Sequence, residues 1–161
     1  MKLYIKQKVF SFKDKFSIYD ENGEIKYTAE GEIFTLGKKL HIKDLNGREV
    51  IFIKQRLLTF LPKYEISINE AAPVEIVKNF NLLKHAYTIP EWDITIKGDF
   101  FAHEYEVIRN DTEIAHLSKE WFTWGDTYAI NIADARDELM ALASILVVDC
   151  CMEVQNNAKH S

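Results

Sequence analysis

Residues 134–154, DARDELMALASILVVDCCMEV, are the stretch that decides the fold. Placed on a helix, its large apolar side chains occupy every side of the wheel, so this helix must be surrounded by other apolar groups. The uninterrupted apolar run, Leu139 to Val148, is ten residues long. A membrane-spanning helix needs about 20 such residues. The stretch therefore predicts a helix buried inside the protein.

Polar residues at the start of this stretch indicate where the helix begins. Asp134 is of a type favoured at helix N-caps, and Asp137 and Glu138 place negative charge on the first turn, where the helix dipole favours it. We expect the helix to cover about residues 135–155 and to be followed by a short flexible tail, residues 156–161.

Residues 2–133 have the pattern of short strands separated by turns. Asn22-Gly23 and Asn46-Gly47 each lie between strand-like segments and predict two tight hairpins whose turns need positive φ angles. Apolar and polar residues alternate in further segments, as in strands with one buried face. The clearest of these segments are residues 64–69, 92–97 and 128–132. Together with weaker segments, they predict about twelve strands.

These elements predict a mainly β fold, a closed antiparallel barrel of about twelve strands around a central, apolar C-terminal α-helix. Closure removes the exposed edges of the sheet. A barrel this wide has a lumen that its own side chains cannot fill, and the helix would fill it. The large strand residues expected to point inward against the helix are Phe34, Phe52, Phe60, Tyr64, Trp92 and Tyr128.

Composition is that of one globular domain covering residues 1–161, with 47% hydrophobic and 28% charged residues. The N-terminus, MKLYIKQKVF, alternates like a strand and has no signal-peptide pattern. We expect a cytoplasmic protein without a transmembrane segment. The cysteines, Cys150 and Cys151, are adjacent on the helix and are expected to be buried thiols, with no disulfide framework.

Charge is unevenly distributed along the chain. The net charge of −5 argues against nucleic acid as a partner. Residues 1–63 nevertheless contain 13 Lys and Arg against 8 Asp and Glu, whereas residues 64–161 contain 7 against 17. The first part could therefore form a basic face, although charges that merely solvate the outer strand faces explain the same bias.

Motifs that carry chemistry are missing from the sequence. It has no nucleophile elbow, P-loop or dinucleotide-binding turn, so we expect no catalytic residue and no cofactor. The histidines lack metal-ligand spacing, and we expect no metal ion. His103, Glu104 and Glu106 are the nearest approach to a titratable cluster, but His103 and Glu104 would point to opposite faces of a regular strand. An enzyme is therefore the third hypothesis for function.

Two features of the sequence have both a structural and a functional interpretation. Trp121, Phe122 and Trp124 either pack at the barrel rim or insert into a membrane interface or ligand groove. Asp149 interrupts the apolar helix and must either lie near a barrel mouth or be buried with a hydrogen-bonding partner. The structural interpretation is favoured for both.

The best candidates for binding an anion are cations in and beside two neighbouring predicted strands. Lys39 and Lys43 share one strand face with His41, and the cations of the next strand alternate in the same way. Clustered Lys and Arg would attract a phosphorylated head group. The residues predicted to bind an anion or lipid are Lys38, Lys39, Lys43, Lys54 and Arg56.

Several segments carry a resemblance that extends over essentially the whole chain. They are FSFKDKFSIYDENGE (10–24), KLHIKDLNGREVIFIKQRLLTFLPKYEI (39–66), GDFFAHEYEV (98–107), KEWFTWGDTYAINIADARDE (119–138) and the apolar helix. In these segments the chain resembles the LURP-one-related family, including its uncharacterised bacterial members of the YxjI type. That family is similar to tubby C-terminal domains and phospholipid scramblases. The resemblance implies a twelve-stranded barrel around a central C-terminal helix.

Three functional hypotheses remain open at this point. The first is a non-enzymatic binding or scaffold domain that recognises an anionic lipid head group or a protein partner. Tubby domains bind phosphoinositides through basic barrel residues, so the resemblance permits the lipid version, with peripheral attachment to a membrane. The second is a membrane-associated, scramblase-like protein, and the third is an enzyme with a site on the barrel surface.

Overall fold

The computed structural model describes residues 1–6, 15–32, 37–59, 63–81, 84–120 and 127–159, except for the side chains of 80–85 and 154–159. It contains twelve β-strands, two 3₁₀ turns and one α-helix. The strands are β1 (Lys2–Lys6), β2 (Lys15–Tyr19), β3 (Ile25–Glu32), β4 (Lys39–Lys43), β5 (Glu49–Arg56), β6 (Lys63–Ile68), β7 (Val74–Asn81), β8 (Lys84–Ile89), β9 (Ile94–Asp99), β10 (Glu104–Arg109), β11 (Thr112–Glu120) and β12 (Thr127–Ile132). The 3₁₀ turns are Pro90–Trp92 and Ala135–Asp137, and the helix, α1, is Glu138–Lys159.

The strands form one closed antiparallel barrel in which each strand pairs with its neighbours in sequence. Closure comes from β1, which pairs with β12 so that Leu3 lies opposite Ile130. The amino group of Met1 extends this seam and donates a hydrogen bond to the carbonyl oxygen of Ile132 at 3.0 Å. The predicted barrel of about twelve strands is confirmed.

The two Asn-Gly hairpins have the same turn. In the first, Asp20 Oδ1 accepts hydrogen bonds from the backbone N–H groups of Asn22 and Glu24, both at 2.9 Å. Asp44 does the same in the second hairpin. Only the glycine of each turn has a positive φ, 79° at Gly23 and 77° at Gly47. The hairpins are confirmed, but the asparagines do not adopt the positive φ that a two-residue turn would need.

Helix α1 runs through the lumen of the barrel. Every residue from Ala141 to Cys150 is buried, and α1 contacts β5 and β6 on one side of the barrel and β10, β11 and β12 on the other. The side chain of Asp134 accepts a hydrogen bond from the backbone N–H of Arg136 and so caps the 3₁₀ turn that precedes α1. The helix continues to Lys159, beyond the predicted end near residue 155. Among the described residues, no helix is long and apolar enough to cross a membrane.

The residues predicted to pack against the helix fall into three groups. Tyr64 and Tyr128 are buried in the core as expected, and Trp92 is partly buried in the first 3₁₀ turn rather than in a strand. Phe52 was predicted wrongly. Its neighbours Ile51 and Ile53 point inward, so Phe52 lies on the outer wall of the barrel. Phe34 and Phe60 lie outside the described residues.

Candidate functional site

The predicted cations on β4 lie on the outer wall beside carboxylates of β3. Lys39 Nζ is 3.4 Å from Glu32 Oε2, and Lys43 Nζ is 3.9 Å from Glu30 Oε2. The register explains these pairs, because Glu32 lies directly opposite Lys39, and Glu30 lies two residues from Thr28, which is opposite Lys43. Both cations of β4 therefore have an acidic neighbour on the same face.

His41 lies between these two lysines and also has carboxylate partners. Its Nε2 is 2.8 Å from Glu32 Oε1, and its Nδ1 contacts Glu49 Oε2. The ring stacks on Phe52 with 4.8 Å between centroids. Desolvation opposes ionisation of Glu32, but hydrogen bonds from His41 and Lys39 outweigh it and lower the pKa of Glu32. Both ring nitrogens of His41 can donate at once only when the imidazole is protonated.

The cations at the end of β5 form a further set of ion pairs. Arg56 Nη1 is 3.1 Å from Glu75 Oε2, and Arg56 Nε is 3.4 Å from Glu65 Oε1. Lys63 Nζ is 2.9 Å from Glu75 Oε1. The hydrogen bond from Lys63, with that from Arg56, outweighs desolvation and lowers the pKa of Glu75. The described residues place no carboxylate within ion-pair distance of Lys54, which is exposed opposite Lys39.

The outer wall of β3 to β7 is thus a mixed-charge surface. Four of the five predicted cations lie on it, Lys39, Lys43, Lys54 and Arg56. Five carboxylates are interleaved with them, Glu30, Glu32, Glu49, Glu65 and Glu75. The sequence pattern predicted correctly which cations share a strand face. It did not reveal their acidic partners, because these depend on the register between neighbouring strands. Anion binding by these residues stays a prediction.

Lys38, the fifth predicted cation, lies at one end of the barrel. Its Nζ is 3.6 Å from Glu153 Oε1 of helix α1. Its backbone N–H donates to Gln55 Oε1 at 3.2 Å, and its carbonyl oxygen accepts from the N–H of Gln55 at 2.8 Å. Lys38 is therefore held beside the segment that connects β5 to β6, and it is separate from the wall cations.

The lumen contains one acidic side chain, Asp149, among the residues that are described as buried. The hydroxyl of Tyr105 is 3.2 Å from Asp149 Oδ1 and 3.3 Å from the carbonyl oxygen of Ile145. Asp149 Oδ2 has no hydrogen-bond partner among the described residues. Burial raises the pKa of Asp149 well above its ordinary value, and the hydrogen bond with Tyr105 only partly opposes this. A protonated Asp149 can donate to Tyr105, which then donates to Ile145.

This pair agrees with the structural interpretation of Asp149, which is buried with a partner. Both members of this pair are buried between the helix and the strands, with Tyr105 1% and Asp149 5% exposed. Of the neighbouring thiols, Cys150 is buried as expected, whereas Cys151 is only partly buried. Cys150 and Cys151 are free, and burial raises the pKa of Cys150 and raises that of Cys151 to about 12. A raised pKa lowers the thiolate fraction, which is the reactive form of cysteine, at neutral pH.

A group of possible metal ligands that the sequence did not reveal lies on the outer face of β10 and β11. Atoms of Glu106, Glu113 and His116 come within 4.8 Å of one another. Glu113 and His116 are three residues apart and would face opposite sides of a regular strand, but the bulge at Ile114 brings them to one face. Surface carboxylates often approach in this way without an ion, so the group does not by itself identify a metal site.

His103 and Glu104 do not act together. His103 lies in the β9–β10 connection with a φ of 56°, and its ring packs against Tyr128 with 4.9 Å between centroids. Glu104 instead accepts a hydrogen bond from the backbone N–H of Lys119 at 3.2 Å, and its other oxygen is 3.4 Å from His116 Nε2. The aromatic cluster of Trp121, Phe122 and Trp124 lies outside the described residues.

Comparison with known proteins identifies relatives over nearly the whole chain. A family model described as LURP-one-related matches residues 1–149. The chain is 36% identical over 149 residues to the protein named "Uncharacterized protein YxjI" of Bacillus subtilis (strain 168), and the match covers 92% of each protein. An X-ray structure of an Arabidopsis thaliana protein is similar with a TM-score of 0.64 and 14% identity, over 96% of this chain and 90% of that one. The last comparison shows a shared fold.

Proposed function

This chain belongs to the LURP-one-related family, and from that premise we propose that it is a non-enzymatic binding domain that recognises an anionic lipid head group from outside its barrel. It would act as a single cytoplasmic domain that attaches peripherally to a membrane. The similarity of the family to tubby domains, which bind phosphoinositides, supports the lipid as the first partner to test.

The observation that carries this proposal is the filled lumen. Some β-barrels hold a ligand in the interior, but here helix α1 occupies it, and each residue from Ala141 to Cys150 is buried. A partner must therefore bind to the outer wall or the ends of the barrel. The predicted cations, Lys38, Lys39, Lys43, Lys54 and Arg56, all lie on this outer surface.

The experiment that tests the proposal is co-sedimentation of the full chain with lipid vesicles. Vesicles of phosphatidylcholine alone are compared with vesicles that also contain phosphatidylglycerol, at low and at high salt. We expect binding only to the anionic vesicles, and we expect it to weaken with salt because the attraction is electrostatic. A variant with Lys39→Glu and Lys43→Glu should bind more weakly. Equal recovery with both kinds of vesicle, or no binding to either, would contradict lipid recognition.

A protein partner is the second candidate, and the mixed-charge wall of β3 to β7 favours it. Alternating cations and carboxylates suit a partner with a complementary pattern better than a uniformly anionic surface. A chain that binds no vesicle but whose Lys39→Glu, Lys43→Glu variant loses a protein partner would support this candidate. A scramblase-like protein would move labelled lipid between leaflets when reconstituted into vesicles. An enzyme would need converging titratable groups that are open to solvent, unlike the enclosed pair of Asp149 and Tyr105.

A further inference from the structure

Two leucines are exposed in the connection between β5 and β6. Leu58 is fully exposed, and Leu57 is 46% exposed. Leu58 has a φ of 61°, a conformation that non-glycine residues seldom adopt. The neighbouring connection packs closely here, because a Cβ added to Gly37 would lie 3.2 Å from Leu57 Cδ2. The backbone conformation at this position therefore keeps the side chain of Leu58 exposed to solvent.

Cations flank these leucines on both sides. Arg56 precedes them, and Lys63, which lies directly opposite Arg56, begins the next strand. Lys38 lies beside the same connection, because its backbone N–H and carbonyl oxygen both form hydrogen bonds with Gln55. We call Lys38, Arg56, Leu57, Leu58 and Lys63 the leucine tip. An apolar pair flanked by Lys and Arg is the composition of a surface that inserts into the interface of an anionic membrane.

Charge differs between the two ends of the barrel. The difference lies in the connections between strands, each taken as its described residues with the strand residue on either side, and without the β7–β8 connection. The end that carries the leucine tip has six Lys or Arg against four Asp or Glu, whereas the opposite end has three against nine. An anionic surface would therefore repel the opposite end and attract the end with the leucine tip.

We propose that the leucine tip is the surface by which this barrel docks on an anionic lipid bilayer, with Leu57 and Leu58 inserted among the head groups and the acidic end directed away from the membrane. Lys38, Arg56 and Lys63 lie at the level of the lipid phosphates in this orientation. The inference rests on the proposed lipid recognition and adds the site and the orientation. Attachment through two leucines and a few cations is reversible.

The opposite end supplies a matched control. Leu45 is also an exposed leucine in a connection between strands, at 73% exposure, and it lies between Asp44 and Asn46. Co-sedimentation with vesicles of phosphatidylcholine and phosphatidylglycerol then compares the Leu58→Ser and Leu45→Ser variants with the original chain. We expect Leu58→Ser to weaken binding about tenfold, because one leucine no longer leaves water. Leu45→Ser should bind like the original chain.

A second pair of variants tests the charges. Lys63→Glu removes a cation of the leucine tip, and Arg48→Glu makes the same change at the acidic end. We expect vesicle binding to weaken in Lys63→Glu and to stay unchanged in Arg48→Glu. All four variants should melt cooperatively, because each replaced side chain is exposed.

The outcomes separate the two proposals. If the original chain does not bind the anionic vesicles, lipid recognition is wrong and the docking surface with it. If the original chain binds and Leu58→Ser binds equally well, or if Leu45→Ser weakens binding as much, the leucine tip is not the docking surface and lipid recognition stands.

Discussion

The lumen and the outer wall of this barrel are built from different interactions. In the lumen, apolar side chains from the strands surround Leu142, Ile145 and Leu146 of the helix, all of which are buried. On the outer wall of β3 to β7, cations and carboxylates pair across neighbouring strands and remain partly exposed. The lumen therefore supplies most of the stability, whereas the wall can change its charges at little cost. This difference leaves the outside of the barrel open to specialisation for binding.

The largest effect is expected from a cavity in the lumen. Leu142→Ala should lower the free energy of unfolding by about 2 to 5 kcal/mol, because the surrounding strands cannot collapse onto the space that the side chain leaves. Val77→Ala, on the outer wall where the residue is 40% exposed, should cost much less. Urea denaturation of both variants measures the difference. Equal losses of unfolding free energy in the two variants would contradict the inference that the lumen supplies more of the stability than the wall.

A smaller effect that depends on pH is expected at Asp149. Its pKa is raised in the folded chain, so the folded state holds this proton more tightly than the unfolded state. Stability from this group is complete below about pH 4, where the unfolded carboxyl is protonated, and is lost as the pH rises toward the folded pKa. Asp149→Asn keeps a donor for Tyr105 but cannot ionise. We expect the variant to gain stability relative to the original chain as the pH rises.

The measurement for Asp149→Asn is urea denaturation at several pH values between 4 and 9. The difference in unfolding free energy between the two chains should be small at the acid end and should grow in favour of the variant toward the alkaline end. A constant difference over the whole range would mean that Asp149 does not retain its proton in the lumen.

The smallest effect is expected on the wall. Glu75→Gln removes the partner that Arg56 and Lys63 share, and we expect a loss of no more than about 1 kcal/mol, because exposed ion pairs are screened by water and salt. The pKa of Glu75 is lowered in the folded chain, so this stabilisation exists above the ordinary carboxyl pKa and disappears as the pH falls. Melting in low and high salt checks it. A loss comparable to that of Leu142→Ala would show that the wall also determines the fold.

Patterns within single segments were enough to predict the fold. The apolar run of α1 predicted a surrounded helix, and Asn22-Gly23 and Asn46-Gly47 predicted two hairpins, because these signals depend on neighbouring residues only. The resemblance implied the same barrel. The error at Phe52 has a simple cause. An aromatic residue between two isoleucines has the composition of a core segment. Because side chains alternate along a strand, either Phe52 or the pair Ile51 and Ile53 can face the lumen, but not both.

Features that depend on pairing between strands could not be predicted. Glu30 and Glu32 neutralise the predicted basic face only because β3 is in register with β4. Glu113 lies on the same strand face as His116 only because a bulge shifts the register between β10 and β11. The exposure of Leu58 depends on a turn conformation that the sequence does not specify, although its position between Arg56 and Lys63 was visible from the start.

The position of the lumen helix in the chain has a consequence for the order of assembly. The strand that closes the barrel, β12, and the helix that fills it are the last elements of the fold to be synthesised, and β12 must pair with β1 at the start of the chain. Contacts this distant in sequence are formed late and slowly, because the intervening chain must first be ordered. Before β12 and α1 are synthesised, the apolar inner faces of the other eleven strands have no helix to pack against. Exposed apolar surface and unpaired strand edges favour aggregation, so the stage before β12 and α1 are in place is the one at which this fold is most prone to aggregate.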